Sequence, residues 1–301
     1  MSKREYILRY LSIIKKVRNS KEATFNEINY FLKRESEITG DDMTISKRTF
    51  QRDLNEIRST FKVDIQSNSF HKYFIAYDEE SDANNRMLEA VDMFNSLSVK
   101  ENLSAYIHFE KRKPFGTEHF HDLLHAIKTH NLIRFTHQKY WEDETTQRIV
   151  EPYSLKEFKS RWYLLAKDKK DNKVKSFGLD RIQNLHITNQ KFDYPKNFNA
   201  NDMFKYCFGI INPDDSKPEE IILSFEQTQG KYIKSYPLHE SQTEIESVDE
   251  DYRIKLTLYI THDLIMELLS YGETLKVIKP AKLKKEICNS YSGALKQYTQ
   301  D

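Results

Sequence analysis

The chain has 301 residues, of which 38% are hydrophobic and 13% aromatic, and its formal net charge is +1. Apolar content this high supplies packed cores and excludes a wholly disordered chain, and the length is enough for two or three domains. No stretch approaches the roughly 20 apolar residues of a membrane span, and no targeting segment is recognisable. We therefore expect a soluble, cytoplasmic protein.

The two cysteines, Cys207 and Cys288, lie far apart in the sequence and match no zinc-binding spacing. Such a pair is typical of a reduced intracellular chain rather than of a disulfide-linked scaffold. Basic and acidic residues predominate in alternating segments, which are residues 1–77 (basic), 78–110 (acidic), 111–192 (basic) and 193–301 (acidic). This alternation predicts separate modules, two of which attract anions.

Residues 1–77 show the pattern of three helices followed by two short strands. The first helix is predicted over residues 4–17, with an apolar face of Ile7, Leu8, Leu11, Ile14 and Val17. Thr24 and Glu27 form a capping box that starts a second helix, and the polar stretch Arg34–Asp42 predicts a loop. A third helix begins near Ser46, and its buried stripe is Phe50, Leu54, Ile57 and Phe61. The strands Val63–Gln66 and Tyr73–Tyr77 complete a predicted winged helix-turn-helix.

The third helix has the features of a recognition helix, because polar side chains cluster near its N-terminus opposite the buried stripe. Arginine is suited to guanine and glutamine to adenine, while hydroxyl groups near a helix N-terminus bind phosphates. An ordinary solvated helix face is the alternative, and the hairpin that follows favours the DNA-binding interpretation. The predicted DNA contacts are Ser46, Lys47, Arg48, Thr49, Gln51 and Arg52 on the helix, with His71 and Lys72 at the hairpin tip.

After an acidic break at Asp78–Asp82, a helix near residues 86–97 is predicted as a linker or dimerisation helix. Pro114 and Gly116 precede a helix over residues 117–130. Five closely spaced strands then predict a small antiparallel barrel; they are Ile133–Tyr140, Arg148–Glu157, Arg161–Ala166, Val174–Leu179 and Ile182–Ile187. A proline-containing linker over residues 193–218 has a short helix near Met203–Cys207. The remaining residues follow the order β-α-β-β-α-β of a ferredoxin-like unit.

Two groups of motifs resemble known families. The segment Ile45-Ser46-x-Arg48-Thr49-x-x-Arg52-Asp53-Leu54 resembles the recognition helix of DeoR-like winged regulators. Three downstream motifs together resemble the WYL domain: Arg148-x-Val150-x-Pro152-Tyr153, then Arg161-Trp162-Tyr163-Leu164-Leu165-Ala166, then Phe177-x-Leu179-Asp180-Arg181-Ile182. WYL-domain transcriptional regulators join these two modules and usually add a C-terminal ferredoxin-like extension, so the resemblance covers nearly the whole chain.

This resemblance implies a bacterial transcription regulator of the α+β class with several domains. They are a winged helix-turn-helix, an Sm-like β-barrel that senses a nucleotide or nucleic-acid ligand, and a ferredoxin-like C-terminal unit. We expect the DNA-binding domain at residues 1–80, a linker helix region at 81–115, the WYL domain at 116–192 and a C-terminal extension that serves dimerisation at 193–301. The expected partners are double-stranded DNA, an anionic nucleotide or oligonucleotide effector and a second copy of the chain.

Strand alternation separates the two faces of the Trp-Tyr-Leu strand. Trp162 and Leu164 are assigned to the core, and Tyr163 to the ligand face. The candidate ligand-binding residues are His137, Arg148, Tyr153, Lys159, Arg161, Tyr163 and Arg181. The alternative is that the arginines pair with Glu151, Asp180 or other carboxylates. Gly178 stands where many WYL domains have an arginine, which implies a weaker or differently shaped anion site.

No catalytic motif is recognisable, so we expect neither an enzyme nor a bound cofactor. His119, His121 and His125 begin a helix, but no further metal ligand is suitably spaced, and no metal site is predicted. Two other functions stay open. One is an accessory factor that binds single-stranded nucleic acid and modulates an effector, and the other is an enzyme acting on a nucleotide. Neither of them needs a winged helix.

Overall fold

A computed structural model describes residues 3–39, 42–78, 86, 90, 116–140, 144–213, 216–246 and 251–299. The chain divides into two compact units, Met1–Lys111 and Arg112–Asp301, and each is of mixed α and β structure. The helix predicted near residues 86–97 lies outside the described residues except for positions 86 and 90. None of the helices within the described ranges is both long and apolar enough to cross a membrane.

The first unit contains three helices and a three-stranded antiparallel sheet. The helices are α1 (Lys3–Ser20), α2 (Phe25–Thr39) and α3 (Lys47–Phe61), and the strands are β1 (Ala23–Thr24), β2 (Val63–Ser67) and β3 (Lys72–Asp78), in the order β1-β3-β2. The predicted capping box is present, because the backbone N–H of Thr24 donates to Glu27 Oε2 at 2.7 Å and that of Glu27 donates to Thr24 Oγ1 at 3.3 Å.

Two details of the first unit correct the sequence prediction. The segment Arg34–Thr39 is helical rather than looped, because its residues are mostly good helix formers and polarity alone does not end a helix. On α1, Ile7 is 48% exposed, whereas Ile13 is fully buried. The other four predicted positions of α1 are buried, so its apolar face is confirmed except at Ile7 and also includes Ile13. The predicted stripe of α3 is confirmed, since Phe50, Leu54, Ile57 and Phe61 all lie in the core.

The second unit begins with a domain built on a five-stranded antiparallel sheet. A 3-10 turn (Thr117–His119) leads into α4 (Phe120–Thr129), which packs on strands in the order β7-β6-β5-β4-β8. These strands are β4 (Asn131–Lys139), β5 (Glu144–Phe158), β6 (Arg161–Asp168), β7 (Val174–Gly178) and β8 (Ile182–Lys191). Leu164 is fully buried in this core and Trp162 packs against its edge, as the strand alternation predicted.

A second 3-10 turn, Leu179–Arg181, connects the edge strands β7 and β8. Gly116 packs directly on this turn. Its φ is +85°, and a Cβ atom there would lie 2.2 Å from the carbonyl carbon of Leu179. Both the left-handed backbone and the close approach require glycine. Gly116 thereby fixes the position of the turn that carries Asp180 and Arg181.

The rest of the second unit is a domain built on a four-stranded antiparallel sheet in the order β10-β11-β9-β12. A short helix, α5 (Ala200–Phe204), precedes it. The elements are β9 (Glu219–Phe225), α6 (Gln227–Ser235), β10 (Thr243–Ile245), β11 (Tyr252–Leu258), α7 (His262–Leu269), β12 (Leu275–Lys279) and α8 (Ala281–Thr299). The predicted order β-α-β-β-α-β is present. Its core comprises residues from all three helices and from β9, β11 and β12.

Candidate nucleic-acid interface and ligand site

The N-terminus of α3 is shaped by Ser46, which caps the helix. Its hydroxyl oxygen accepts from the backbone N–H of Thr49 at 3.2 Å and lies 3.0 Å from the Thr49 hydroxyl. The cap leaves the remaining N–H groups of the first turn directed away from the helix, where they are available to an anion. Ser46 and Thr49, both predicted phosphate contacts, therefore also organise the helix end itself.

Three basic residues in the first two turns of α3 differ from Arg58 of the last turn, which pairs with Asp64. Lys47, Arg48 and Arg52 are exposed, and none of them forms an ion pair with another side chain in the described part of the chain. Gln51 is also exposed, but its side-chain amide donates to the hydroxyl of Tyr73 at 3.1 Å. Gln51 is thus tied to strand β3, and reading a base would require it to exchange this partner.

A buried ion pair, not predicted from the sequence, anchors the other side of α3. Arg9 of α1 and Asp53 of α3 are both fully buried, and two hydrogen bonds of 2.7 and 3.0 Å join them. The Arg9 guanidinium also lies 4.9 Å from the centre of the Tyr6 ring. The signal was present in the sequence, because Asp53 interrupts the apolar stripe of α3 three residues after Phe50.

The hairpin of β2 and β3 ends in a tight turn organised by Asn68. Its side-chain oxygen accepts from the backbone N–H groups of Phe70 and Lys72 at 3.0 and 3.1 Å, and its backbone carbonyl accepts from His71 at 3.0 Å. His71 has a φ of +57° and is exposed. Lys72 pairs with Glu22 at 3.6 Å. If Lys72 binds a DNA phosphate, as predicted, the phosphate must therefore compete with Glu22 for its ammonium group.

In the five-stranded domain, His137 is the central group of the candidate ligand site. It lies on β4, is 9% exposed, and contacts the rings of Phe135 and Phe177. Its Nε2 atom is buried and has no hydrogen-bond partner within the described ranges. Burial, together with the charges of Arg181 and Arg148, lowers the pKa of His137 to about 4. Three of the predicted ligand residues are therefore brought together.

Arg148 is not free to bind a ligand by itself. Its guanidinium donates to Asp168 at 3.0 Å and to the hydroxyl of Thr146 at 3.2 Å. Lys175 also donates to Asp168, at 3.0 Å. Burial alone would raise the pKa of Asp168, but the Lys170 N–H and Lys175 lower it overall. The sequence left open whether Arg148 binds a ligand or pairs with a carboxylate, and in the structure it pairs with Asp168.

Arg181 has the more open position. Its Nε lies 3.9 Å from the carboxylate of Asp180, its Cζ is 5.5 Å from the centre of the Tyr140 ring, and its side chain is 25% exposed. The side chain of Arg161 is 60% exposed and donates a hydrogen bond to the other carboxylate oxygen of Asp180 at 3.2 Å. A Cβ atom at Gly178 would lie 2.5 Å from Asp180 Oδ1 and 3.0 Å from Arg181 Nε. The absence of a side chain at position 178 thus leaves room for Asp180 and Arg181.

Three predicted ligand residues have other surroundings. Tyr163 is only 9% exposed, and burial raises its pKa. Its ring is largely buried, and its assignment to the ligand face stays a prediction. Tyr153 is buried in an aromatic cluster with Phe192, and its hydroxyl donates to Glu151 at 2.7 Å. Lys159 donates to Glu267 of α7 at 2.6 Å and so bridges to the four-stranded domain.

The histidines at the start of α4 have a structural contact of their own. His119 Nε2 lies 3.1 Å from the carbonyl oxygen of Ile182 on β8. Within the described ranges, no group of three or more His, Cys, Asp or Glu side chains is placed to hold a metal ion.

No curated protein matches this chain significantly. Among solved structures, proteasome accessory factor B/C (PafBC) of Arthrobacter aurescens is 19% identical over 94% of this chain and 46% of that chain, with a TM-score of 0.34. A CRISPR Cas-related protein is 13% identical over 98% of this chain and 84% of that chain, with a TM-score of 0.43.

This chain therefore spans less than half the length of the PafBC chain. Both TM-scores are below 0.5, and neither likeness carries a conclusion about this protein. The comparisons with family models are more specific. Residues 118–187 match the model of the WYL domain, and residues 217–295 match that of the WCX domain. The WYL match covers the five-stranded domain, which contains the buried His137. The WCX match covers the four-stranded domain that follows it. The chain contains a WYL domain and a WCX domain.

Proposed function

We propose that this protein is a transcription regulator that binds specific sequences in double-stranded DNA. The observation that carries the proposal is the basic N-terminal half of α3, where Lys47, Arg48 and Arg52 follow the Ser46 cap, are exposed and have no ion-pair partner among the described residues. A DNA-reading helix must bury one face, present arginines to base edges and offer its N-terminus to phosphates. The WYL domain further along the chain supports this function.

In this proposal the first unit is a winged helix-turn-helix. Helices α2 and α3 form the helix-turn-helix, and the β2–β3 hairpin is the wing. The same proposal takes the five-stranded domain as an Sm-like barrel, which the strand order β7-β6-β5-β4-β8 supports, and the four-stranded domain as a ferredoxin-like unit, which the order β10-β11-β9-β12 supports. Two copies of the chain would place two recognition helices on paired half-sites, which multiplies affinity. Sedimentation of the full chain would then show a dimer at micromolar concentration.

Selection of duplexes from a random pool by the full-length protein tests DNA binding. We expect a recurrent sequence whose affinity falls steeply with added salt, because each neutralised phosphate releases counterions. Arg48→Ala and Arg52→Ala should each weaken binding by about 1–3 kcal/mol and relax sequence preference. Arg58→Ala, on the last turn of the same helix, is the matched control. If the protein enriches sequences from a parallel pool of single strands and none from the duplex pool, the accessory-factor function is favoured instead.

We further propose that the WYL domain senses an anionic nucleotide or oligonucleotide beside His137 and Arg181. A buried, unsatisfied imidazole nitrogen costs free energy unless a ligand satisfies it. The neighbouring guanidinium of Arg181 is partly open, and its contact with the Asp180 carboxylate is long, at 3.9 Å. Such a ligand regulates DNA binding only if it binds the DNA-competent and incompetent states unequally.

Titration of the full chain with nucleotides and short oligonucleotides tests this sensing role. We expect Arg181→Gln and His137→Phe to abolish ligand binding and its effect on DNA affinity. Lys159→Ala is the matched control, since this exposed lysine contacts α7 instead. Ligand binding that survives loss of both His137 and Arg181 would show that the site lies elsewhere in the domain.

A further inference from the structure

The tip of the β2–β3 hairpin presents a solvent-exposed aromatic side chain. Phe70 is 79% exposed, although phenylalanine is costly to leave in water. A single exposed apolar residue is common on protein surfaces and has no significance by itself. The position and rigidity of Phe70 are what distinguish it.

The turn that carries Phe70 is held in one conformation by Asn68. The Asn68 side chain accepts the N–H of Phe70, and its backbone N–H donates to the carbonyl oxygen of Lys72 at 2.9 Å. The hairpin is fixed further down by β1, where Ala23 pairs with Tyr73 and Thr24 with Lys72. Phe70 is thus projected from an ordered tip at little additional entropic cost on binding.

The hairpin is also rigidly joined to α3. The ring of Tyr73 packs edge-on against Phe50 at 4.9 Å between ring centres, and its hydroxyl accepts from Gln51. Phe50 and Gln51 lie on the same helix turn as the basic residues Arg48 and Arg52. The distance between the base-reading helix and Phe70 is therefore set by the folded structure.

We propose that Phe70 is an apolar wedge that enters the DNA minor groove and partly unstacks one base step beside the sequence contacted by α3. This inference rests on the proposed function. Phenylalanine cannot hydrogen-bond a phosphate or a base edge, but apolar side chains insert between base pairs in the minor groove and kink the duplex. The neighbouring His71 and Lys72 supply cationic or polar contacts to the flanking backbone.

The wedge predicts specificity at a position where no base edge is hydrogen-bonded. Pyrimidine–purine steps unstack most easily, so the protein should prefer TA or CA at the flanking step. Phe70 would then be a specificity-determining residue that reads deformability, while Arg48 and Arg52 read base edges.

The test uses the full-length protein and the duplex that it selects from a random pool, with 2-aminopurine substituted at successive flanking positions. Wild-type protein should raise the fluorescence at one step only, because unstacking relieves quenching. Phe70→Ala should abolish that rise and weaken binding by about tenfold. Phe70→Leu should retain most of both, since a bulky apolar side chain is kept. Tyr77→Ala, which removes an exposed aromatic ring at the base of the same hairpin, should resemble wild type.

The outcomes separate this inference from the proposed function. If wild-type protein selects no duplex, the proposed function fails and the wedge with it. If wild-type protein binds its duplex but Phe70→Ala retains both the affinity and the fluorescence change, DNA binding stands and the wedge is overturned. Equal effects of Phe70→Ala and Tyr77→Ala would also overturn it.

Discussion

His137 shows at the residue scale how burial determines the chemistry of one side chain. Its ring makes near-perpendicular contacts with Phe135 and Phe177, and its Nε2 has no partner in the described part of the chain. Protonation would bury a positive charge beside Arg181 and Arg148. The imidazole is therefore neutral in the folded protein at neutral pH, which keeps one ring nitrogen available as an acceptor.

This environment predicts a pH dependence of stability. The pKa of His137 is lowered to about 4 in the folded protein, whereas an unfolded histidine has a pKa of about 6.5. Below about pH 6.5 the unfolded chain binds a proton that the folded chain does not, so stability falls as the pH drops towards 4. The loss should be about 3 kcal/mol, and His137→Phe should remove it.

Denaturant unfolding followed by the fluorescence of Trp162, in a Trp141→Phe background, measures this effect. His239 has a lowered pKa as well, so the informative quantity is the difference between wild type and His137→Phe at each pH. The exposed residue His186 provides the control His186→Gln. Parallel pH profiles for wild type and His137→Phe would contradict the prediction.

At the scale of elements, the Arg9–Asp53 pair fixes α3 against α1. Both side chains are excluded from water, and two hydrogen bonds connect them. A buried ion pair of this kind contributes less net stability than its geometry implies, because both charges lose their hydration. It does specify one packing of the two helices. The orientation of the exposed face of α3, with Arg48 and Arg52, follows from it.

Removing one partner of this pair should therefore cost more than removing both. We expect Asp53→Ala to destabilise the first unit by about 3–5 kcal/mol, since it removes the buried carboxylate that accepts two hydrogen bonds from the Arg9 guanidinium. The double variant Arg9→Met with Asp53→Leu should lose much less. Hydrogen exchange of the α3 amides measures both effects.

The control is Arg58→Ala, which breaks an exposed pair with Asp64. It should change stability by no more than about 1 kcal/mol. An equal loss for the single and double variants would contradict this account.

At the scale of the whole molecule, the second unit is held together through the segment after α5. The Asp263 carboxylate of α7 accepts from the backbone N–H groups of Ile210 and Ile211 at 2.9 and 3.0 Å. The Ser176 hydroxyl of β7 donates to the carbonyl of Ile210 at 3.1 Å. One short segment thus bonds to both the WYL and the WCX domain. It gives a physical route by which a ligand in one domain could affect the other.

We expect Asp263→Ala to loosen this segment while both domains stay folded. Two backbone N–H groups lose a charged acceptor, which costs about 1–3 kcal/mol. Trypsin should then cleave after Lys205 several times faster, as limited proteolysis would show. Lys159→Ala is the control, because its ion pair with Glu267 is partly exposed and contributes little. Unchanged cleavage in Asp263→Ala would show that other contacts hold the segment.

Most of the helices and strands, and the WYL domain, could be predicted from the sequence. Periodicity located α3 and its stripe, and the capping box predicted the start of α2, because these signals depend on residues close together in the chain. The WYL motifs were likewise local. The environment of the polar side chains, in contrast, depends on how the elements pack in the folded protein. Tyr163 is covered, Arg148 is paired with Asp168, Lys159 is bonded to Glu267, and Asp53 meets Arg9. Such contacts join residues distant in sequence, and a polar side chain can satisfy its hydrogen bonds with many partners. Periodicity therefore indicates which face a residue occupies, whereas the packing of other elements decides whether that face is open to a ligand.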